Sequence, residues 1–149
     1  MSDDKPFFSD CNCLAIRQAA RHITQFYDQL FAPAGLRATQ FAILSRLREH
    51  GAMPINALAA MLVMDRTTLG RNVLPLQRDG LIEVAPSPTD RRRHELRLTA
   101  AGRERHRAAF RYWQEAQRRF NDVFGDERAA ALRDLLRDVS LSDFATAAE

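Results

Sequence analysis

Apolar residues recur every three or four positions along most of the chain, which is the spacing of one face of a helix. From residue 12 to about residue 32 this face is formed by Ile16, Ala20, Ile23, Tyr27, Leu30 and Phe31. Pro33 and Gly35 interrupt the spacing and end the first predicted helix. Ser9 or Asp10 is the expected cap at its start, because either side chain can accept a hydrogen bond from the first turn.

A second helix and a short third helix follow with the same spacing. The second is predicted to begin at Thr39, a candidate N-cap, and to end at Gly51. Its buried side is formed by Phe41, Leu44 and Leu47. The third lies within INALAAMLVM, with Leu58 and Leu62 facing inward. The connector 52–54 between them has room for one extended, pairing residue.

The pattern then passes from a capped helix to alternation. Asp65 is the expected N-cap of a helix through RTTLGRNVLPLQRDG, and Gly80 is the residue that ends it. The inner face of this helix is formed by Leu69, Val73 and Leu76. The segments LIEVAP and ELRLT alternate apolar and polar residues, as half-buried strands do, and they enclose the basic turn SPTDRRRH. A β-hairpin with a basic tip is therefore predicted.

Two more helices complete the chain. A long polar helix is predicted from Ala100 to about Phe124, followed by a break at Gly125 and a final helix. The apolar positions of the final helix are Leu132, Leu135, Leu136 and Val139. The whole order predicts a mainly α protein with a small β-hairpin wing: a winged helix-turn-helix flanked by N- and C-terminal helices.

Composition adds a charge distribution and a location. The net charge is +3, and between residues 66 and 97 seven arginines stand against four acidic residues. The basic surplus therefore lies in one stretch, as expected of a surface that binds a polyanion. No run approaches the roughly 20 apolar residues that span a bilayer, and the short acidic N-terminus is unlike a secretory signal. We expect a cytoplasmic protein with no membrane partner.

The capped helix and the hairpin tip are the candidate DNA-binding surface. Burying the inner face of the helix turns its N-terminal polar residues outward, namely Arg66, Thr67, Thr68, Arg71 and Asn72. A protruding helix fits the major groove, where arginine pairs with guanine and asparagine with adenine. The tip places Arg91, Arg92 and Arg93 at a second position along the duplex, and a narrow minor groove attracts arginine.

Residues 65 to 102 resemble the MarR family of winged helix-turn-helix transcriptional regulators. The family signature is a recognition helix ending in Gly-Leu, a wing with Asp-x-Arg, and Leu-Thr-x-x-Gly opening a long helix. This chain carries these motifs as Gly80-Leu81, Asp90-Arg91-Arg92, and Leu98-Thr99 with Gly102. Pro75, inside the predicted recognition helix, departs from the pattern, and we expect it to bend that helix.

The resemblance implies a division of the chain and a set of partners. Residues 37–99 would form the DNA-binding lobe, and residues 10–34 and 100–147 the dimerisation helices. The chain would be a homodimer on a pseudo-palindromic double-stranded operator, commonly as a repressor. Arg92 would enter the minor groove, with Asp90 orienting it. A small aromatic effector is expected in a pocket between the first, second and long helices, near His22, Tyr27 and Phe41, because a site between two such units can change their relative angle.

Two cysteines leave an alternative open. Cys11 and Cys13 lie at the start of the first helix, where the helix dipole favours a reactive thiolate. Cys13 occupies the place of the reactive cysteine in the hydroperoxide-sensing branch of the family, and Arg21 and Tyr27 match that branch too. Arg17, however, stands where that branch has another tyrosine. An oxidant-sensing repressor acting through Cys13 and a pair of ordinary reduced cysteines both remain open.

Other classes of function find less support. We expect no enzyme, because the chain has no phosphate-cradling glycine motif and no G-x-S-x-G among its six glycines. No metal or cofactor is expected, because the four histidines lack ligand spacing. A winged-helix interaction module without DNA binding would have a neutral or acidic wing, whereas this one is basic. The stripe formed by Phe110, Trp113, Phe120 and Phe124 is typical of a core or dimer interface rather than a ligand box.

Overall fold

A computed structural model describes residues 7–145. Residues 146 and 147 of the expected C-terminal region lie outside the described residues. A 3-10 turn at Phe7–Asp10 precedes the first helix, and a second one, Ala32–Ala34, follows it. The helices and strands, in chain order, are α1 (Asn12–Phe31), α2 (Ala38–His50), α3 (Ile55–Met61), α4 (Arg66–Arg78), β1 (Ile82–Pro86), β2 (His94–Leu98), α5 (Ala100–Phe124) and α6 (Asp126–Leu141).

Two helix starts differ from the prediction because other groups supply the caps. The N-cap of α1 is Cys11, whose Sγ accepts a hydrogen bond from the Leu14 N–H at 3.4 Å, so neither Ser9 nor Asp10 fills this role. Helix α2 begins one residue before Thr39, because Asp28 of α1 accepts the Ala38 N–H at 2.7 Å. The Arg37 N–H is bonded locally to the Gln40 side chain at 3.0 Å, so a contact between helices and a local bond together set this helix start.

The core lies between α2, α3, α4 and the hairpin. Its completely enclosed residues include Ile43, Leu44, Leu58 and Leu69. Truncating a leucine at such a position to alanine costs about 2–5 kcal/mol of stability, so this cluster fixes how α4 is presented. The expected pairing residue in the connector is Met53, which exchanges both backbone hydrogen bonds with Leu96, at 3.0 and 2.8 Å.

The hairpin is antiparallel, with Ile82 opposite Leu98 and Pro86 opposite His94. Alternation puts Ile82, Leu96 and Leu98 against the core. Glu83 and Arg97 stand opposite each other on the solvent side, where the Arg97 Nε donates to Glu83 at 2.7 Å. The register of the two strands is therefore set by the buried face and by one cross-strand ion pair.

The start of α5 is held by hydrogen bonds against the chain between α4 and β1. The Thr99 hydroxyl donates to the Gly80 carbonyl at 2.5 Å and accepts the Gly102 N–H at 3.0 Å. Gly102 lies so close to the chain that a Cβ there would be 2.0 Å from the Leu81 carbonyl oxygen. This close approach gives a physical reason for the Leu-Thr-x-x-Gly motif, because only glycine fits.

Helices α1, α5 and α6 pack outside the lobe and leave apolar surface exposed. Tyr27 of α1 donates a hydrogen bond to Gln117 of α5. On α6 the side chains of Leu135 and Leu136 are 63% and 42% exposed, and Val139 and Leu141 are exposed as well. A row of large apolar side chains facing water is unusual in a monomer and marks a surface that binds a partner.

Two residues with a positive φ, Val63 and Gly80, flank α4. Helix α4 runs without a break through Pro75 to Arg78 and is followed by Gly80 in a left-handed conformation, as expected of a helix stop. Val63, in the turn between α3 and α4, also has a positive φ, of 52°. This conformation is rare and strained for a β-branched residue.

Candidate DNA-binding surface and effector cavity

The first turn of α4 is held by a double hydrogen bond. Asp65 accepts the Thr68 N–H at 2.8 Å and the Thr68 hydroxyl at 2.6 Å. These bonds hold the pKa of the Asp65 carboxyl below its usual value. Thr68 was predicted from the sequence to contact DNA, but its hydroxyl proton is already used in the cap. Thr68 therefore acts first as a structural residue that fixes the angle of the helix start.

The remaining polar residues of this face differ in availability. Arg66, Thr67 and Arg71 are exposed on the outward side of α4. Asn72 is half-buried, and its amide donates to the Thr68 carbonyl at 2.9 Å. This bond uses one amide N–H of Asn72 and leaves the second N–H and the amide oxygen for an adenine edge, while the exposed side chains can reach a groove directly.

The wing tip is a compact turn built around Asp90. The Asp90 carboxylate accepts the Arg92 backbone N–H at 3.0 Å, and the Asp90 carbonyl accepts the Arg93 N–H at the same distance. Its side chain lies 3.8 Å from the Arg93 guanidinium. The resemblance implied that Asp90 orients Arg92. In the structure Asp90 binds the backbone N–H of Arg92, and its ion pair is with the Arg93 side chain. All three tip arginines, Arg91, Arg92 and Arg93, are exposed.

The start of α4 and the wing meet at one basic cleft. A cleft of about 690 Å³ is lined by Arg66 of α4, by Arg92, Arg93 and His94 of the wing, and by Pro54, Ile55, Asn56 and Ala57. Two elements that the sequence could only place separately thus share one surface. Sequence reasoning missed Asn56 and His94, because neither belongs to the recognition helix or to the arginine run.

A cavity of about 670 Å³ lies between α1, α2 and α5. Tyr27 and Phe41 line it, in the region expected for an effector. His22 does not line it and is exposed. The placement of His22 in this pocket was wrong because five residues turn an α-helix by about 140°, so His22 and Tyr27 lie on different faces of α1.

The cavity combines aromatic walls with a polar cluster that the sequence did not indicate. The His106 ring stacks on Phe41 with centroids 4.9 Å apart, and Phe110 stacks on Trp113 at 5.2 Å. His106 is only 4% exposed. Its Nε2 lies 2.9 Å from the Ser45 hydroxyl, and its Nδ1 lies 3.1 Å from the Arg48 guanidinium.

The electrostatics of the cavity favour a neutral His106. Burial lowers the pKa of His106, and the nearby Arg48 lowers it further, while Glu49 acts in the opposite direction. The only sequence signal for this residue was its spacing of four from Phe110, which places both on one face of α5. Its partners come from α2, about sixty residues away along the chain.

The two cysteines have different environments. The Cys11 sulfur is engaged as the cap of α1, while the Cys13 thiol is exposed in the first turn. Both are free thiols. Tyr27, one of the residues matched to the hydroperoxide-sensing branch, gives its hydroxyl hydrogen to Gln117 rather than to a cysteine of this chain.

Within residues 7–145 there is no group of three or more histidine, cysteine, aspartate or glutamate side chains that could hold a metal ion. None of the helices in this part of the chain is both long and apolar enough to cross a membrane.

The fold and the basic cleft define a winged helix-turn-helix protein, and the comparisons with known proteins identify its family. The model of the MarR family matches residues 36–94. The crystal structure of the M. tuberculosis transcriptional regulator MosR in complex with DNA is 34% identical, with 86% of this chain and 92% of that chain covered and a TM-score of 0.75. The chain belongs to the MarR family of transcriptional regulators.

Two further relatives carry information on ligands and regulation. Bordetella bronchiseptica BpsR, whose structure concerns regulation of DNA binding by 6-hydroxynicotinic acid, is 25% identical over 91% of this chain and 97% of its own, with a TM-score of 0.80. The transcriptional repressor NicR of Pseudomonas putida is 30% identical over 87 residues, which are 58% of this chain and 55% of NicR. The matched segment thus spans about half the length of that curated relative.

Proposed function

We propose that this chain is a homodimeric transcriptional regulator that binds double-stranded operator DNA sequence-specifically through α4 and the wing. The observation that carries the proposal is the shared cleft, in which Arg66 from the start of α4 faces Arg92 and Arg93 from the wing. One duplex can contact both elements at once, with α4 in the major groove and the tip in the adjacent minor groove. The related regulator MosR has been crystallised in complex with DNA, which supports DNA binding by this chain.

The location of the exposed apolar surface supports the proposed division into lobe and dimerisation helices. Most residues of the buried core come from the lobe, residues 37–99, whereas α6 exposes Leu135 and Leu136. In the proposed dimer, residues 10–34 and 100–147 pair across a two-fold axis and present two copies of α4 to a pseudo-palindromic operator.

A titration of the protein against a candidate operator and a scrambled duplex, at two salt concentrations, tests DNA recognition. We expect tighter binding to the operator and weaker binding to both duplexes at higher salt, because phosphate contacts release counterions. Absence of any salt-sensitive duplex binding would instead favour an interaction module that has lost DNA binding.

We further propose that the protein represses transcription and is released from DNA by a small aromatic ligand in the cavity between α1, α2 and α5. The repressor NicR and the ligand-regulated BpsR support this mode. The cavity lies between helices of the lobe and the dimerisation region, so an occupant that prefers one relative angle would change the spacing of the two α4 helices. Screening phenolic acids for release of bound operator DNA tests the assignment.

Oxidant sensing through Cys13 is the second candidate. The observation that favours it is the exposure of Cys13 beside Cys11, whose sulfur is already used to cap α1. An organic hydroperoxide would oxidise the Cys13 thiolate to a sulfenic acid and be reduced to an alcohol. Operator binding would then fall on peroxide treatment in the wild type and persist in Cys13→Ser. If Cys13→Ser responded like the wild type, this candidate would be excluded.

A further inference from the structure

The outward ridge of α4 carries one large apolar side chain among its polar ones. Leu74 is 60% exposed, whereas the leucines and the valine on the inner face of the same helix are buried. Leu74 follows Arg71 by three positions and Thr67 by seven, and all three side chains are exposed, so they share one face. Leu74 therefore lies on the surface that we propose enters the major groove, and it takes no part in the core.

Gly70 leaves open space beside Leu74. It lies four positions earlier, which is one turn of helix or about 6 Å along the axis. Within the described part of the chain, a Cβ at Gly70 would meet nothing within 4 Å beyond its own helix backbone and its two chain neighbours. The Leu74 side chain thus does not cover this point. We call the space between the Gly70 backbone and the Leu74 side chain the α4 notch.

The charges on α4 indicate what kind of partner covers the notch. The helix carries three arginines, Arg66, Arg71 and Arg78, and no acidic residue. Arg66 also lines the basic cleft with Arg92 and Arg93 of the wing. An apolar protein surface would desolvate these cations without a counter-charge, whereas a duplex offers them phosphates and presents base edges to the ridge between them. The notch is therefore continuous with the proposed DNA-binding surface.

We propose that the α4 notch recognises one thymine in each half-site by enclosing its 5-methyl group between Gly70 and Leu74. This inference rests on the proposed operator binding and names a specificity-determining contact within it. Thymine is the only one of the four bases that presents a methyl group in the major groove. The missing side chain at Gly70 lets the base approach the helix backbone, and Leu74 removes the methyl group from water.

Single-methyl changes in the DNA test the contact. Selection from a random duplex library by the wild-type protein supplies the operator, and each of its thymines is then replaced by deoxyuridine, which lacks only the methyl group. In anisotropy titrations, one position in each half-site should lose about fourfold in affinity, the effect of one buried methyl-sized group. At that position a 5-methylcytosine–guanine pair should bind more tightly than a cytosine–guanine pair, because it restores the methyl group.

Variants of the two residues assign the contact to the notch. Leu74→Gln keeps the length of the side chain but not its apolar character, so it should bind the thymine and deoxyuridine duplexes equally. Its salt dependence should match the wild type, because no phosphate contact is lost. Leu74→Met stays apolar and should keep the preference for thymine. Circular dichroism and thermal unfolding establish that each variant is folded.

Gly70→Ala is the reciprocal test, because it adds a methyl group to the protein where the base methyl group would lie. It should lose affinity for the thymine duplex and keep its affinity for the deoxyuridine duplex. This variant has open space in the free protein, so a loss that is confined to the thymine duplex reports crowding in the complex and not a damaged fold.

A wild-type protein that shows no methyl-sensitive thymine would overturn the proposal, as would a preference for thymine that survives in Leu74→Gln or in Gly70→Ala. Equal losses of this preference in Leu74→Gln and Leu74→Met would exclude an apolar contact. If the protein binds its selected operator and one of these results is found, only the present inference fails. If it binds no duplex in a salt-sensitive manner, the proposed function fails, and the inference fails with it.

Discussion

Val63 is a β-branched residue in a left-handed backbone conformation, which is strained for such a side chain. Its φ is 52° and its side chain is 74% exposed, so it carries a steric cost without a compensating contact in the core. Val63→Gly should raise the free energy of unfolding by about 1 kcal/mol, because glycine adopts this conformation without strain. Urea unfolding at fixed protein concentration measures the change.

Val84→Gly is the matched control for this prediction. Val84 is exposed and lies in the regular part of β1, where glycine should instead lower stability by about 0.5–1 kcal/mol. Should the two variants shift the midpoint in the same direction, strain at Val63 would be disproved.

Arg71 and Arg92 are expected to read DNA in different ways. Arg71 lies between buried Leu69 and Val73 on the outward face of α4, so it is placed for a base edge. Arg71→Ala should cost about 1–3 kcal/mol of binding, mostly on the cognate operator. Arg92→Ala should weaken binding to operator and scrambled duplex alike and reduce the salt slope, because a minor-groove arginine acts mainly through charge.

Titration of both variants on both duplexes at two salt concentrations checks this prediction, and each variant serves as a control for the other. Equal losses on the two duplexes for Arg71→Ala would mean that α4 is docked differently. Arg66, which lines the cleft with Arg92, would then be the first candidate for base contact.

At the residue scale, local roles were predictable and long-range ones were not. Asp65 could be recognised as a cap because the cap and the N–H that it accepts lie three residues apart. The cluster of His106, Ser45 and Arg48 joins residues about sixty positions apart, and no spacing rule connects them. His22, although only five residues from Tyr27, lies on a different face of α1 and does not line the cavity.

At the scale of elements, the link between the hairpin and α5 depends on one close contact. A Cβ at Gly102 would overlap the Leu81 carbonyl at 2.0 Å and press on the Leu98 side chain at 3.1 Å. Gly102→Ala must therefore move backbone, and we expect a loss of about 3 kcal/mol in the free energy of unfolding. Thermal and urea unfolding give the measurement.

Gly70 provides a control with the opposite expected sign. It lies inside α4, and within the described part of the chain a Cβ there would meet nothing within 4 Å beyond its own helix backbone, so alanine adds no clash. Gly70→Ala should stabilise the protein by about 0.5–1 kcal/mol through helix propensity. A Gly102→Ala protein as stable as Gly70→Ala would contradict the proposed steric lock.

All the predicted helices and the hairpin are present, because apolar spacing reports which face each element buries. Their boundaries were less predictable where tertiary contacts intervene. Helix α2 starts early because a carboxylate of α1 reaches its first N–H, and that contact exists only once the two helices are packed. Helix α4 continues past Pro75 to Arg78, with the Asp79 N–H bonded to the Pro75 carbonyl at 3.0 Å, and the bend expected at Pro75 stays a prediction.

On the scale of the whole molecule, buried apolar residues are concentrated between α2 and β2, while α6 carries several exposed ones. The core cluster takes most of its members from α2 to β2, together with Phe31 of α1, Leu36 and Ala109 of α5. Helix α6 contributes only Ala129 to the buried residues, while Leu135, Leu136 and Leu141 remain exposed. The terminal helices therefore have too little partner surface within one chain, and each exposed leucine forfeits part of the about 1.5–3 kcal/mol that full burial contributes.

We therefore expect a stable homodimer at micromolar concentration, measured by sedimentation equilibrium. Leu135→Glu should shift the mass towards the monomer, because a charge would be buried in an apolar interface. Val84→Glu, an exposed apolar residue on the wing, should leave the dimer intact. Loss of the dimer should also weaken operator binding strongly, since one monomer contacts only one half-site. A wild-type monomer, or equal dissociation in both variants, would show that the exposed face of α6 has another role.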